Sequence, residues 1–194
     1  MQTPTPRPET PPGAGASVWL RLADRIDRLN RRVGKLTYWL VLLAVLISAG
    51  NAVSRKAWSL SSNAMLEIQW YLFAGCVMFG AAQVLRVNEH VRVDVLYGMY
   101  PTRMKVLVDL FGLIFFLLPV MGTIAWLSVP FLVKMYVSGE MSSNAGGLIR
   151  WPVMATIPLG LGLLILQAVS EIIKRVGWLM HVHDMDTHYE RPLQ

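Results

Sequence analysis

The sequence predicts an all-α integral membrane protein with four transmembrane helices and an N-terminal amphipathic interfacial helix. Of its 194 residues, 54% are hydrophobic and only 15% are charged, whereas a typical soluble domain carries about 25% charged residues. The apolar residues fall into long runs, and about 18 such residues suffice to cross a hydrocarbon core of ~30 Å as a helix. In lipid the backbone must form its hydrogen bonds within the segment, so each run is predicted to be helical.

The first 35 residues precede the first apolar run and divide into two parts. Residues 1–16 are rich in Pro, Thr and Gly and are predicted to form a disordered tail. Residues 17–35 place apolar side chains on one helical face at spacings of three and four. These side chains are Trp19, Leu22, Ile26, Leu29 and Val33. Arginines cover much of the remaining surface, which indicates a helix at an anionic phospholipid surface; the alternative is a solvated helix packed on a partner.

Four apolar runs define a membrane domain over residues 36–175, with spans at about 36–53, 63–85, 104–137 and 151–169. The first run also has features of a signal peptide, but its long basic lead and the later spans favour a permanent helix. The third run would measure roughly 50 Å as a straight helix, so it must tilt, project from the membrane or bend at Pro119 or Pro130. Residues 176–194 are predicted to be a loosely ordered tail.

Lysine and arginine are distributed unequally between the two sides of the membrane. With four spans, 14 of the 18 Lys and Arg residues lie on the side that holds both termini and the middle loop. The other side holds Arg55, Lys56, Lys134 and Arg150. Cytoplasmic segments carry the excess of positive charge, so both termini and the middle loop are predicted to be cytoplasmic. Basic residues that flank apolar spans indicate membrane topology and not a nucleic-acid surface.

Few polar residues within the spans are candidates for chemistry. They are Glu67, Gln69, Gln83 and Asp109. Glu67 lies near the start of span two, where the helix dipole favours a carboxylate and where Lys56 or Arg150 are possible ion-pair partners. An intramembrane acid can also be a proton or cation site, but a position near the interface favours the structural interpretation. No span contains histidine and Cys76 is the only cysteine, so no cofactor, metal site, catalytic residue or internal disulfide is predicted.

The loop between spans two and three is unusually charged. Residues 86–95 read RVNEHVRVDV, and an apolar patch at Leu96, Tyr97 and Tyr100 follows. Asp94 can cap a short helix, and Pro101 suits the first turn of the next helix. The pattern predicts a short interfacial element at the cytoplasmic surface.

The stretch EIQWYLFAGCVMFGAAQVLRVNEHVRVDVLYG resembles the central signature of a known family of membrane proteins. This family is the small permease subunit (DctQ family) of tripartite ATP-independent periplasmic (TRAP) transporters. The matching residues are Glu67, Gly80, Ala81, Arg86, His90, Val93 and Asp94. The last apolar run, with Trp151-Pro152, Ile157-Pro158 and Gly160, is similar to the last helix of the family. The resemblance extends over about residues 36–176.

The resemblance implies a subunit of an inner-membrane transporter and not an enzyme. In such systems a periplasmic binding protein captures an organic anion and delivers it to a large permease subunit, which holds the substrate and sodium sites. The small subunit braces the large one. The residues expected at subunit or membrane interfaces are Glu67, Arg86, Glu89, His90, Arg92, Asp94 and Trp151. Two alternatives are a membrane-embedded enzyme or redox subunit and a stand-alone small transporter that uses Glu67.

Overall fold

The computed structural model describes residues 14–59, 62–87 and 100–182. These residues form five α-helices and one π-helical segment, with no strand among them beyond a single bridge. The helices are α1 (Ala14–Trp58), α2 (Asn63–Val87), α3 (Thr102–Phe111), α4 (Leu118–Ser138) and α5 (Trp151–Leu179), with the π-helical segment at Gly112–Leu117. Four stretches are long and apolar enough to cross a membrane, namely Val18–Trp58, Asn63–Val87, Thr102–Ser138 and Trp151–Leu179. The predicted all-α membrane protein with four spans is confirmed.

Helix α1 is continuous through the boundary predicted at residue 35. The segment 17–35 and the first span are therefore parts of one helix, with no break at the predicted boundary. One buried stripe runs along this helix with alternating spacings of three and four residues, as in a coiled coil. Its members are Ala23, Ile26, Asn30, Val33, Thr37, Leu40, Ala44, Ile47, Asn51 and Ser54. Because the stripe keeps the same period on both sides of residue 35, the same packing holds both halves against the bundle.

The apolar face predicted for residues 17–35 is divided between the buried stripe and the exposed side of α1, and its placement on a membrane surface stays a prediction. Ile26 lies in the buried stripe and Val33 is half-buried, whereas Trp19, Leu22 and Leu29 are exposed. The buried stripe is displaced by about one residue from Leu22 and Leu29, toward Ala23 and Asn30. The polar Asn30 can be buried there because Gln167 on α5 accepts its hydrogen bond.

Helix α5 occupies the centre of the bundle and contacts α1, α2 and α4. A glycine permits its close approach to α2, because a Cβ atom at Gly160 would lie 2.6 Å from the carbonyl oxygen of Met78. A second glycine, Gly34, permits the approach of α1, where a Cβ atom would lie 2.8 Å from Cγ of Gln83. Buried apolar side chains fill the space between the helices. They are Leu85, Leu113, Leu161, Leu164 and Ala168.

The third span, Thr102–Ser138, contains a π-helical segment that ends just before Pro119. Proline has no N–H, so the carbonyl of the residue four positions earlier loses its helical donor. A widened π turn is one way in which a helix accommodates such a break. Of the two positions at which a bend was expected, the irregularity therefore accompanies Pro119, while Pro130 lies within α4. Helix α5 also extends to Leu179, beyond the predicted start of the C-terminal tail at residue 176.

Candidate functional site

Glu67 at the start of α2 binds the loop between α4 and α5. One carboxylate oxygen, Oε1, accepts hydrogen bonds from the hydroxyl of Ser142 and from Nδ2 of Asn144, the latter at 2.7 Å. The other oxygen, Oε2, accepts from the backbone N–H of Leu148 at 2.7 Å. Glu67 is buried. We refer to Glu67 and these three donors as the Glu67 clasp.

The loop reaches the clasp because it folds back on itself. Met141 and Ile149 form an isolated antiparallel bridge, and the backbone N–H of Ser142 donates to the carbonyl of Leu148 at 2.9 Å. At the tip, Gly146 has a φ of +69°, which is costly for a residue with a Cβ. A Cβ at the neighbouring Gly147 would lie 3.0 Å from Oε1 of Glu67, so the carboxylate packs directly against the loop backbone.

Three further contacts fix the loop to its surroundings. Nδ2 of Asn63 donates to the carbonyl of Ala145 at 3.0 Å, and the hydroxyl of Tyr71 donates to the carbonyl of Ile149 at 3.0 Å. Arg150 forms an ion pair with Glu140 at 2.6 Å. The suggested pairing of Glu67 with Lys56 or Arg150 is therefore wrong, because loop amides and a hydroxyl take up the carboxylate instead.

The clasp connects α2 to the loop between α4 and α5 at one end of the bundle. Each oxygen of Glu67 has a donor within the chain, and the donors come from a loop that a backbone bridge holds in place. A buried carboxylate with such partners avoids the cost of an unpaired buried charge. In chemical terms the arrangement is a structural fastening of the α4–α5 loop to α2.

A second polar cluster lies near the other end of the bundle, where α1, α3 and α5 meet. We refer to it as the buried network. Its members are Asp27 and Asn30 on α1, Asp109 on α3, and Gln167, Ser170, Glu171, Lys174 and Arg175 on α5. Asn30, Gln167 and Ser170 are the largest fully buried side chains in the described part of the molecule.

The part of the buried network between α1 and α5 is built on amides and a carboxylate. Nδ2 of Asn30 donates to Oε1 of Gln167 at 2.7 Å, and Nε2 of Gln167 donates to Oδ1 of Asp27 at 2.9 Å. The hydroxyl of Ser170 donates to the same Asp27 oxygen at 2.7 Å. Lys174 forms an ion pair with Oδ2 of Asp27 at 3.1 Å. These bonds hold the N-terminal half of α1 against α5.

The ionic part of the buried network centres on Glu171. Its carboxylate accepts from Lys174, Arg175 and Gln167, the last at 3.1 Å. Arg175 also donates from Nη2 to Oδ2 of Asp109 at 3.2 Å, which connects α5 to α3. The Nε atom of Arg175 is buried without a hydrogen-bond partner, as is Oδ1 of Asn30. Paired buried charges of this kind hold neighbouring helices in one register when their geometry is satisfied.

Sequence reasoning missed the buried network. Lys174 and Arg175 entered only the count of positive charges, and Asp109 entered only as one of the few polar residues within the spans. The available signal was the polar spacing of α5, in which Gln167, Glu171 and Lys174 follow one another at four and three residues on one helical face. Those residues stand at the end of an apolar run, where polar side chains are ordinarily attributed to the water interface.

The remaining predicted interface residues are placed only in part. Arg86 is half-buried, and its Nε donates to Oε1 of Gln83 at 3.0 Å on the same helix. Trp151 contacts Tyr136 edge to face, with ring centroids 5.4 Å apart. The other four predicted residues of the middle loop lie outside the described residues. They are Glu89, His90, Arg92 and Asp94.

No group of His, Cys, Asp and Glu suited to holding a metal ion occurs within residues 14–59, 62–87 and 100–182. The two polar clusters instead join helices and a loop of the same chain.

Comparison with known proteins identifies the family. The family model described as "Tripartite ATP-independent periplasmic transporters, DctQ component" matches residues 44–177, which include the C-terminal part of α1 and nearly all of α5. No curated protein and no solved structure matches the chain. The match covers well over half of the sequence and includes both Glu67 and Arg86, as the resemblance predicted. The chain is therefore a member of the DctQ family, the small membrane component of TRAP transporters.

Proposed function

We propose that this chain is the small membrane subunit of a sodium-coupled organic-acid uptake transporter, in which it braces the large permease subunit. The observation that supports this proposal is the family match over residues 44–177. The partners are then the large permease subunit and a periplasmic substrate-binding protein. Sodium and an organic acid follow from the resemblance, since family members with this signature serve such systems.

The bracing role draws support from the two polar clusters. The Glu67 clasp fastens the α4–α5 loop to α2, and the buried network joins α1, α3 and α5. In both clusters the charged side chains bind partners within the chain. Such fixed contacts suit a subunit that holds a moving partner in the membrane. The proposal therefore assigns the substrate site to the large permease subunit.

Reconstitution of transport tests this division of labour. Proteoliposomes with this chain, the large permease and the binding protein should take up an organic acid when sodium is supplied outside. Omission of this chain should abolish uptake but leave substrate binding to the soluble protein unchanged. Uptake by this chain alone would contradict the proposal and support a stand-alone transporter that uses Glu67.

Glu67 is proposed to be structural and not part of a coupling-ion site. The support is that both carboxylate oxygens accept hydrogen bonds from the loop. In the reconstituted complex, Glu67→Gln should leave the shape of the sodium dependence unchanged, even if less complex is recovered. Glu140→Gln, which changes an exposed acid in the α4–α5 loop, is the matched control. A changed Hill slope or sodium stoichiometry in the Glu67 variant alone would refute the assignment.

The turn at residues 86–95 is proposed to dock on the large permease subunit at the cytoplasmic surface. The support is the concentration of charge at Arg86, Glu89, His90, Arg92 and Asp94. Replacing Arg86 and Asp94 with Ala, singly and together, should lower co-purification with the large subunit and uptake in parallel. A changed apparent substrate affinity in a fully assembled complex would instead place these residues on the transport path.

The chain is proposed to lie in the bacterial inner membrane with both termini in the cytoplasm. The support is the distribution of positive charge, with 14 of the 18 Lys and Arg residues on one side. In a Cys76→Ala background, an impermeant thiol reagent added outside should label Ser143→Cys in the exposed loop but not Thr102→Cys at the opposite end. The reverse pattern would invert the topology.

A further inference from the structure

Helix α1 exposes an apolar strip along its N-terminal half that the bundle leaves uncovered. Leu22, Leu29 and Leu36 stand seven residues apart, so they share one face of the helix. Their exposed fractions are 40%, 45% and 52%. The strip runs beside the buried stripe and not within it. Its leucines are therefore available to a partner that the described residues 14–59, 62–87 and 100–182 do not supply.

Two arginines lie between these leucines. Arg25 and Arg32 each follow a leucine by three residues, and both are exposed. Within the described residues no ion pair involves either guanidinium. The adjoining outer surface carries further exposed cations at Arg21, Arg28, Arg31 and Lys35. The strip thus combines apolar side chains with a broad basic margin.

The same face continues without interruption into the membrane-spanning half of α1. Leu43 lies seven residues beyond Leu36 and is exposed, and Trp39 and Leu46 occupy the positions that the arginines hold further back. Where the helix crosses the membrane, such exposed apolar side chains face acyl chains. The face therefore passes from a lipid-exposed surface directly into one where leucines alternate with arginines.

We propose that this face of α1 binds the headgroups of anionic phospholipids in the cytoplasmic leaflet. Arg25 and Arg32 contact the lipid phosphates, and Leu36, next to the membrane-spanning half of the helix, lies against the upper acyl chains. Guanidinium groups form paired hydrogen bonds with phosphate oxygens, and basic residues at this depth are attracted to anionic lipid. The site does not depend on the transport role proposed above.

The positive charge on this face of α1 favours anionic lipid over two alternative occupants. A second copy of the chain on the same face would bring Arg25 and Arg32 against their own counterparts, which costs free energy through like-charge repulsion. A partner helix would cover only a narrow stripe, whereas the cations extend around much of the helix surface from Arg21 to Lys35. A layer of anionic headgroups complements the whole basic margin.

The test measures lipid binding by the purified full chain in a mild uncharged detergent. Phosphatidylglycerol, phosphatidylcholine and inorganic phosphate are titrated separately, and both the thermal unfolding midpoint and the lipid retained in native mass spectrometry are recorded. Phosphatidylglycerol alone should raise the midpoint and remain bound. The double variant Arg25→Gln/Arg32→Gln should weaken phosphatidylglycerol binding roughly 10- to 30-fold.

The matched control is Arg55→Gln/Lys56→Gln, which removes two cations from the last turn of the same helix at its opposite end. This control should bind phosphatidylglycerol as the parent chain does. If the double variant folds poorly, Arg25→Lys/Arg32→Lys keeps the charge and should retain most of the binding. The proposal is overturned if Arg25→Gln/Arg32→Gln binds phosphatidylglycerol like the parent, if the control loses as much, or if inorganic phosphate gives the same stabilisation.

Discussion

Glu171→Gln should destabilise the bundle far more than the same substitution at an exposed acid. The change keeps the size of the side chain but removes its charge and replaces one acceptor oxygen with a donor. Glu171 accepts from Lys174 and Arg175. After the substitution, Arg175 keeps only Asp109 and Lys174 keeps only Asp27 as anionic partners.

The expected magnitude follows from exposure. In the Arg175–Glu171 pair the side chains are 5% and 7% exposed, so water does little to screen a cation that loses its partner. Breaking a buried pair on one side costs about 3–5 kcal/mol. In the Arg150–Glu140 pair the side chains are 49% and 42% exposed. Glu140→Gln should therefore cost only about 0–1 kcal/mol.

Reversible unfolding in mixed micelles with increasing SDS gives the two free energies from tryptophan fluorescence or circular dichroism. The double variant Glu171→Leu/Arg175→Leu adds a check, because it also removes the buried cation that has lost one of its two carboxylate partners. It should be more stable than Glu171→Gln, although Asp109 still loses a partner. A Glu171→Gln cost no larger than that of Glu140→Gln would refute the importance of burial in this network.

Three other variants examine the packing and the clasp. Gly160→Ala should cost about 1–3 kcal/mol in the same SDS assay because its Cβ would meet backbone, whereas Gly162→Ala, with nothing within 4 Å, should cost nothing; equal costs would contradict the close approach. Asn30→Leu should cost about 1–3 kcal/mol, because Gln167 then loses a buried donor; an unchanged SDS midpoint would remove Asn30 from the network. Glu67→Gln should speed hydrogen exchange at the loop amide bound to Oε2, and unchanged exchange would rule out the clasp.

The four spans could be predicted because the lipid environment imposes a simple rule. Each crossing needs a long apolar helix, so the run of residues 63–85 is recognisable without knowledge of its neighbours. The structure places the corresponding helix at Asn63–Val87. The family resemblance was equally accessible, since it depends on the order of residues such as Glu67 and Arg86 along the chain, and the match over residues 44–177 confirms it.

The buried face of α1 could not be found in the same way. Apolar spacing groups Leu22 with Leu29 as a face toward lipid, and it contains no signal that the bundle buries the neighbouring Ala23 and Asn30. A polar side chain is acceptable in the interior only when a partner lies opposite, and the partner of Asn30 is 137 residues away at Gln167. No local pattern in α1 contains that information.

The amino-acid sequence by itself determined the helical class, the four spans and the family, because each depends on composition or on residue order along the chain. The tertiary structure alone decided which donors satisfy Glu67, how Asp27 and Glu171 are paired, and which side of α1 the bundle leaves exposed. The physical reason is that a charge or amide acquires its role from what faces it. In this chain the facing groups come from helices and loops that are distant in sequence.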